Sequence, residues 1–147
     1  MNSTKFNQEF IKNLIRQKEG KLLDFKLKIT SREKIAKTIS AFANSEGGML
    51  LIGVSDKKEV IGIDPYEEQY MIESANEMIC EPHASVSYYP IKWTKENPTD
   101  FEDEELIVLL VKISPQKDGL VYCKSGSGER KAYKRSGDKT LLISDSD

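Results

Sequence analysis

The sequence is poor in the residues that staple small proteins or bind their metals. Among 147 residues there are two cysteines, Cys80 and Cys123, and one histidine, His83. Two thiols so far apart exclude a disulfide framework, and one imidazole excludes a zinc finger or a His-rich metal site. Long apolar runs are missing too. The longest are Met49-Leu-Leu-Ile52 and Leu106-Ile-Val-Leu-Leu-Val111, far short of the roughly 18 residues of a membrane span. The N-terminal stretch lacks the basic, apolar and small-residue layout of a secretory leader, so a cytoplasmic location is expected. No G-x-x-x-x-G-K-[ST] stretch is present, so there is no P-loop for ATP. A nucleophile system of the Ser/His/Asp or Cys/His kind would need His83, which follows Cys80-Glu-Pro at a predicted helix end and reads as a capping or surface residue. Cys80 and Cys123 read as small buried hydrophobes.

What is present is charge. Charged residues make up 31% and hydrophobic residues 38%, enough for one modest core in one domain over 1–147. The net charge is -2, but it is segregated. Residues 1–40 carry ten Lys/Arg against four Asp/Glu, 41–105 carry four against fifteen, and 106–139 carry eight against three. If the two basic segments share a face, the protein presents a positive surface that its pI of 5.6 conceals.

Periodicity predicts the elements. Phe6, Phe10, Ile11, Leu14 and Ile15 fit a helix over 4–18. Residues 22–28 alternate as a half-buried strand, with Leu23, Phe25 and Leu27 on one face and Asp24, Lys26 and Lys28 on the other. Thr30-Ser-Arg-Glu33 fits a capping box with Thr30 as cap, and the helix it opens runs to about Asn44 and stops at Gly47-Gly48. Residues 49–54 read as a central strand, followed by a turn at 55–58 and a returning strand at 59–63 that completes a hairpin. A third helix is expected from about Glu67 to Cys80. Strands are expected at 84–93 (an edge strand, because of Pro90), 105–113, 120–124 and 132–135, with an acidic loop at 94–104 and a frayed tail at 138–147. The expected fold class is α+β: a mixed, largely antiparallel sheet with two to three packed helices.

Two constellations carry chemistry. Glu19, Asp24, Lys26 and Asp56 converge if the strands at 22–28 and 49–54 are neighbours. Hard oxygen donors of this kind bind Mg²⁺ or Mn²⁺, and a lysine beside them holds a phosphate. A solvated strand face plus a turn aspartate fits the same spacing. The second constellation is Arg130-Lys131-Ala-Tyr133-Lys134-Arg135, where basic side chains flank an aromatic. Bases stack on aromatics while cations contact phosphates. Arg32, Lys34 and Lys37 add charge near the start of the second helix, where free N–H groups and the dipole favour anions. An ordinary charged face fits this pattern as well.

Glu19-Gly-Lys-Leu-Leu-Asp-Phe-Lys26, Ile35-Ala-Lys-Thr-Ile-Ser-Ala-Phe-Ala-Asn-Ser-Glu-Gly-Gly48, Met49-Leu-Leu-Ile-Gly-Val-Ser-Asp56 and Val60-Ile-Gly-Ile63 together resemble the Schlafen AlbA-type domain. Ala132-Tyr-Lys-Arg-Ser-Gly137 resembles that family's final strand. The resemblance implies a nucleic-acid-binding domain, for DNA or RNA, acting as a regulator, transcriptional or otherwise, or as an accessory module. The basic and aromatic residues read above supply the expected contacts: Lys26, Lys28, Arg32, Lys34, Arg130, Lys131, Tyr133, Lys134 and Arg135. In members that cleave RNA, the acidic triad matches Glu19, Asp24 and Asp56, so the alternative is a metal-dependent endoribonuclease using Mg²⁺ or Mn²⁺, with Lys26 on the scissile phosphate. Asp24 stands where the family usually has Glu. A single copy of the domain implies a homodimer that rebuilds a two-lobed cleft. A third alternative is a protein-interaction module that uses the acidic residues 100–105.

Overall fold

The computed structural model describes residues 5–95 and 105–144. Helix α1 (Gln8–Ile15) is shorter than the pattern suggests; Asn7 caps it by accepting from the Phe10 N–H at 3.0 Å. Strand β1 (Leu23–Lys26) leads into α2 (Arg32–Ala43), and β2 (Gly48–Ile52) follows. The cap of α2 is Ser31, not Thr30: Ser31 Oγ accepts from the Lys34 N–H at 3.1 Å, so the helix starts one residue later than expected. Helix α3 (Pro65–Met78) starts two residues before Glu67, because Asp64 accepts from the Tyr66 N–H and Pro65 is preset for the first turn.

Six further strands follow in the chain: β3 (Cys80–Glu81), β4 (Val86–Trp93), β5 (Leu106–Ile113), β6 (Tyr122–Lys124), β7 (Arg130–Ser136) and β8 (Lys139–Leu142). They form two sheets, in order β1-β2-β5-β4 and β3-β6-β7-β8. Among the described residues only the β1–β2 pairing is parallel, with α2 as the connection between the two strands. The fold is α+β and its sheets are mixed and largely antiparallel. Pro90 lies on β4, an edge strand.

The consecutive apolar positions of β2 and β5 reflect covering on both faces. Leu50, Ile52, Leu109, Val111 and Ile113 face a core built with α2 and α3, while Leu51, Val108 and Leu110 face one built with Ile11 and Leu14 of α1. The second sheet packs on the far side of α2, which is why Thr38, Ser40 and Ala41 are buried along with Ile39 and Phe42. The turn from α2 into β2 uses Gly47 at φ +74 and Gly48 against Phe42: a Cβ on Gly48 would stand 2.5 Å from the Phe42 ring.

Three expectations are corrected. The hairpin after β2 does not form. The expected return at 59–63 is a single bridge, Val54 to Val60, because Gly53 O takes both the Ile61 and Gly62 N–H groups and the Ile63 N–H donates to Ile107 O. The tail is not frayed along 139–142: Gly137-Asp138 makes a two-residue turn and β8 pairs with β7. The last sheet strand is also longer than 132–135. Residues 96–104 of the acidic loop and 145–147 of the tail lie outside the described residues.

Candidate nucleic-acid interface

Helix α2 brings the two basic segments together. At its N-terminus Lys34 lines a cavity with Lys26 at the end of β1, with Lys28 of the β1–α2 connection and with Thr30 and Ser31. One turn further, Lys37 lines a second cavity with Lys124 of β6 and with Lys131 and Tyr133 of β7. Lys34 and Lys37 are three apart and so neighbours on the helix surface. The Lys37 ammonium sits 5.6 Å from the Tyr133 ring centre. Among the described residues, Lys28, Lys34 and Lys37 make no ion pair; Lys26 is held by Asp24 at 3.2 Å and Lys131 by Glu129 at 3.4 Å. Glu33 and Glu129 are the acidic members of the second cavity.

The anchoring of β7 on α2 is polar. Ser40 Oγ donates to Val121 O at 2.8 Å and accepts from the Tyr133 N–H at 3.1 Å. Asn44 accepts from the Val121 N–H and donates to the carbonyls of Val121 and Tyr133. Ser45 accepts from the Arg135 N–H at 2.9 Å. The Ser40–Ser45 stretch thus fixes where Tyr133 and Lys131 stand relative to Lys37.

Other expected contacts go elsewhere. Arg32 turns to α3, donating to Ser74 Oγ at 2.8 Å with its guanidinium over Tyr70. Arg130 pairs with Glu81 and stacks on Tyr122. Lys134 lies on the other face of β7 from Lys131 and Tyr133, by strand alternation. Arg135 is buried: it lies over the Phe42 ring at 4.5 Å and donates to Gly20 O at 2.6 Å. It therefore holds the α1–β1 connection and does not present its charge at the surface. Lys37 completes the site; Lys124 also lines its edge, but the β6–β7 register pairs it with Arg130, and its ammonium is held by Glu81 at 3.0 Å.

The acids gather beside β1, next to Lys26: Asp24 pairs with it, and Asp56 follows β2 at the end where Gly53 and Val54 donate to Lys26 O. Glu19 Oε2 accepts from the Phe25 N–H at 2.9 Å. A hydrogen bond shared with Asp24, together with burial and the Asp24 charge, raises Glu19 above the ordinary carboxylate range, against the pull of the Phe25 N–H and Lys26. Glu19 and Asp56 line an open hollow with Lys18, Lys58 and Asp138. Asp138 was missed in the sequence; the Gly137-Asp138 turn signal that places it was available. The oxygen donors have the chemistry for Mg²⁺ or Mn²⁺. Their geometry does not fit: among the described residues no three of His, Cys, Asp and Glu are grouped closely enough to hold an ion. Asp24 is turned to Lys26 and Glu19 to a backbone N–H, so the trio stands as an acidic rim. Of the acidic segment 100–105, only Glu105 is described, on an ion pair with Lys92 at 3.8 Å.

These features define a two-sheet α+β domain with paired lysine-lined cavities along one central helix. The chain belongs to the Schlafen AlbA_2 family, whose model matches residues 19–144. That family suggests a nucleic-acid-binding domain. No curated protein matches the sequence. Among solved structures, the chain is similar to the DIP2311 protein of Corynebacterium diphtheriae, with 16% identity and a TM-score of 0.49 over 84% of this chain. It spans 22% of that protein's length. No helix among the described residues is long and apolar enough to cross a membrane.

Proposed function

We propose that this domain binds a nucleic-acid backbone along the N-terminal half of α2, as a regulatory or accessory module. One observation carries the reading: Lys26, Lys28 and Lys34 gather at a helix N-terminus, and Lys37, Lys124 and Lys131 gather around Tyr133 in the adjoining cavity. Lysines there act as point charges for successive phosphates, the helix end adds free N–H groups, and the Tyr133 edge offers an apolar surface to a base. The acidic hollow of Glu19, Asp56 and Asp138, which adjoins Lys26, repels the strand and so limits the footprint to the α2 side.

The test is fluorescence anisotropy with labelled single- and double-stranded RNA and DNA at two salt concentrations. Binding is expected to weaken with salt, with log K falling by about 0.7 to 0.9 per phosphate neutralised. The K28A/K34A/K37A variant is expected to lose at least about tenfold in affinity and to flatten the salt slope by about two to three. Salt-independent binding, or an unchanged variant, would overturn the reading.

A further inference from the structure

Cys80 and Cys123 lie 43 positions apart in sequence and directly opposite each other in the structure, as partners in the β3–β6 register. The neighbouring pair, Ile79 and Lys124, is hydrogen-bonded through the Lys124 N–H to Ile79 O at 2.9 Å. Antiparallel ladders alternate, so Cys80 and Cys123 form the close, non-hydrogen-bonded kind of pair, with Cα atoms about 4.5 Å apart. That separation falls within the roughly 4.4–6.8 Å that a disulfide spans. Both thiols are free.

The two sulfurs differ in access. Cys80 is enclosed, with its thiol directed to Ala36 O. Cys123 lines the cavity of about 260 Å³ shared by Lys37, Lys131 and Tyr133, which admits a small reagent. The Cys80 hydrogen bond, the Ser40 hydroxyl and the Lys37 ammonium hold Cys123 below the usual thiol range against the effect of burial. The hydrogen bond to Cys123 and burial push Cys80 above it. One thiol is thus prepared to attack and the other to resolve.

We infer that Cys80 and Cys123 are a reversible dithiol–disulfide site, oxidised by a small hydroperoxide that enters the Tyr133 cavity. The Cys123 thiolate attacks a peroxide oxygen; the O–O bond breaks, a sulfenic acid forms and hydroxide leaves, taking a proton to become water. Cys80 then loses its proton and attacks the Cys123 sulfur. The S–S bond forms, the S–O bond breaks, and a second water leaves with the Cys80 proton. Two thiols are oxidised by two electrons and one hydrogen peroxide is reduced to two waters. The bond ties the end of α3, through β3, to β6 beneath Lys37 and Tyr133. This site stands independently of whether the cavity binds nucleic acid.

The test uses the reduced, folded chain, treated with a small molar excess of hydrogen peroxide, quenched with catalase, unfolded and alkylated. Intact mass is expected to fall by about 2 Da with no alkylation, on a chain that remains monomeric on a non-reducing gel. A peptide linking Cys80 to Cys123 is expected, and dithiothreitol is expected to restore two alkylatable thiols. Two alkylated thiols after treatment, sulfinic acid at either cysteine, or an intermolecular bond would overturn the inference. In Cys80→Ser, dimedone is expected to trap a sulfenic acid on Cys123; in Cys123→Ser, Cys80 is expected to stay unreacted. The reverse pattern would overturn the assigned order of attack, and the wild-type measurement holds whether or not either variant folds.

Discussion

Glu68 is a carboxylate that water would ordinarily keep, yet it is 2% exposed on α3 and accepts from the Ile29 N–H at 2.7 Å. It thereby fixes the connection that carries Lys28 into its cavity. Glu68→Ala leaves that buried N–H without a partner and is expected to cost about 1–3 kcal/mol in urea unfolding, with Glu68→Gln costing less because an acceptor remains. Glu19 is the second residue with a direct readout. Its raised pKa means the folded chain holds that proton more tightly than the unfolded chain does. Stability from this group is therefore present at low pH and declines as pH rises past the ordinary carboxylate value near 4.5. In Asp24→Asn the Glu19 midpoint, followed by carbon NMR, is expected to fall back toward that value. Neither residue's environment was legible beforehand. Glu68 sits on a helix whose charged face gave no hint of burial, and the proton shared by Glu19 and Asp24 depends on a loop being folded back onto β1.

At the level of elements, the decisive piece is the end of α2. Ser40, Asn44 and Ser45 work as a polar edge onto which β6 and β7 dock. Asn44→Ala removes one accepted and three donated bonds, and is expected to lower stability by about 2–3 kcal/mol. Hydrogen exchange should locate the damage: the Val121 amide is expected to lose protection while those of β2 and β5 keep theirs. The same stretch carried the family resemblance in the sequence, and its structural job explains the residue types. Small polar groups are needed where a helix must satisfy strand backbone at close range. The hairpin expected at 59–63 failed for the converse reason. Two glycines, Gly53 and Gly62, let one carbonyl take two N–H groups, and the ladder ended after a bridge.

For the whole molecule, charge balance governs what the surface can attract. Glu81 neutralises two cations at once, Lys124 at 3.0 Å and Arg130, and those hydrogen bonds hold its carboxyl below the usual range. Lys124 lines the Tyr133 cavity, so Glu81→Gln is expected to tighten nucleic-acid binding and to steepen its salt dependence by up to about two phosphates' worth, measured by anisotropy across a salt series. An unchanged slope would mean that this edge lies outside the footprint. The pI of 5.6 gives no warning of such a local surplus of lysine.

Composition and periodicity by themselves determined the class of this protein. Three amphipathic helices, two doubly covered strands and a pair of glycines leave an α+β domain as the arrangement that buries every apolar stripe. They also placed lysines at the start of α2 and on β7, because local charge and alternation are properties of neighbouring residues. Which lysines meet was decided only in three dimensions: Arg32 and Arg135 were drawn to Tyr70 and Phe42, while Lys37 met Tyr133 and Lys131 through the docking of β7 on α2. The same long-range pairing set Cys80 opposite Cys123, since register between distant strands depends on the packing of the whole core and leaves no mark on either segment alone.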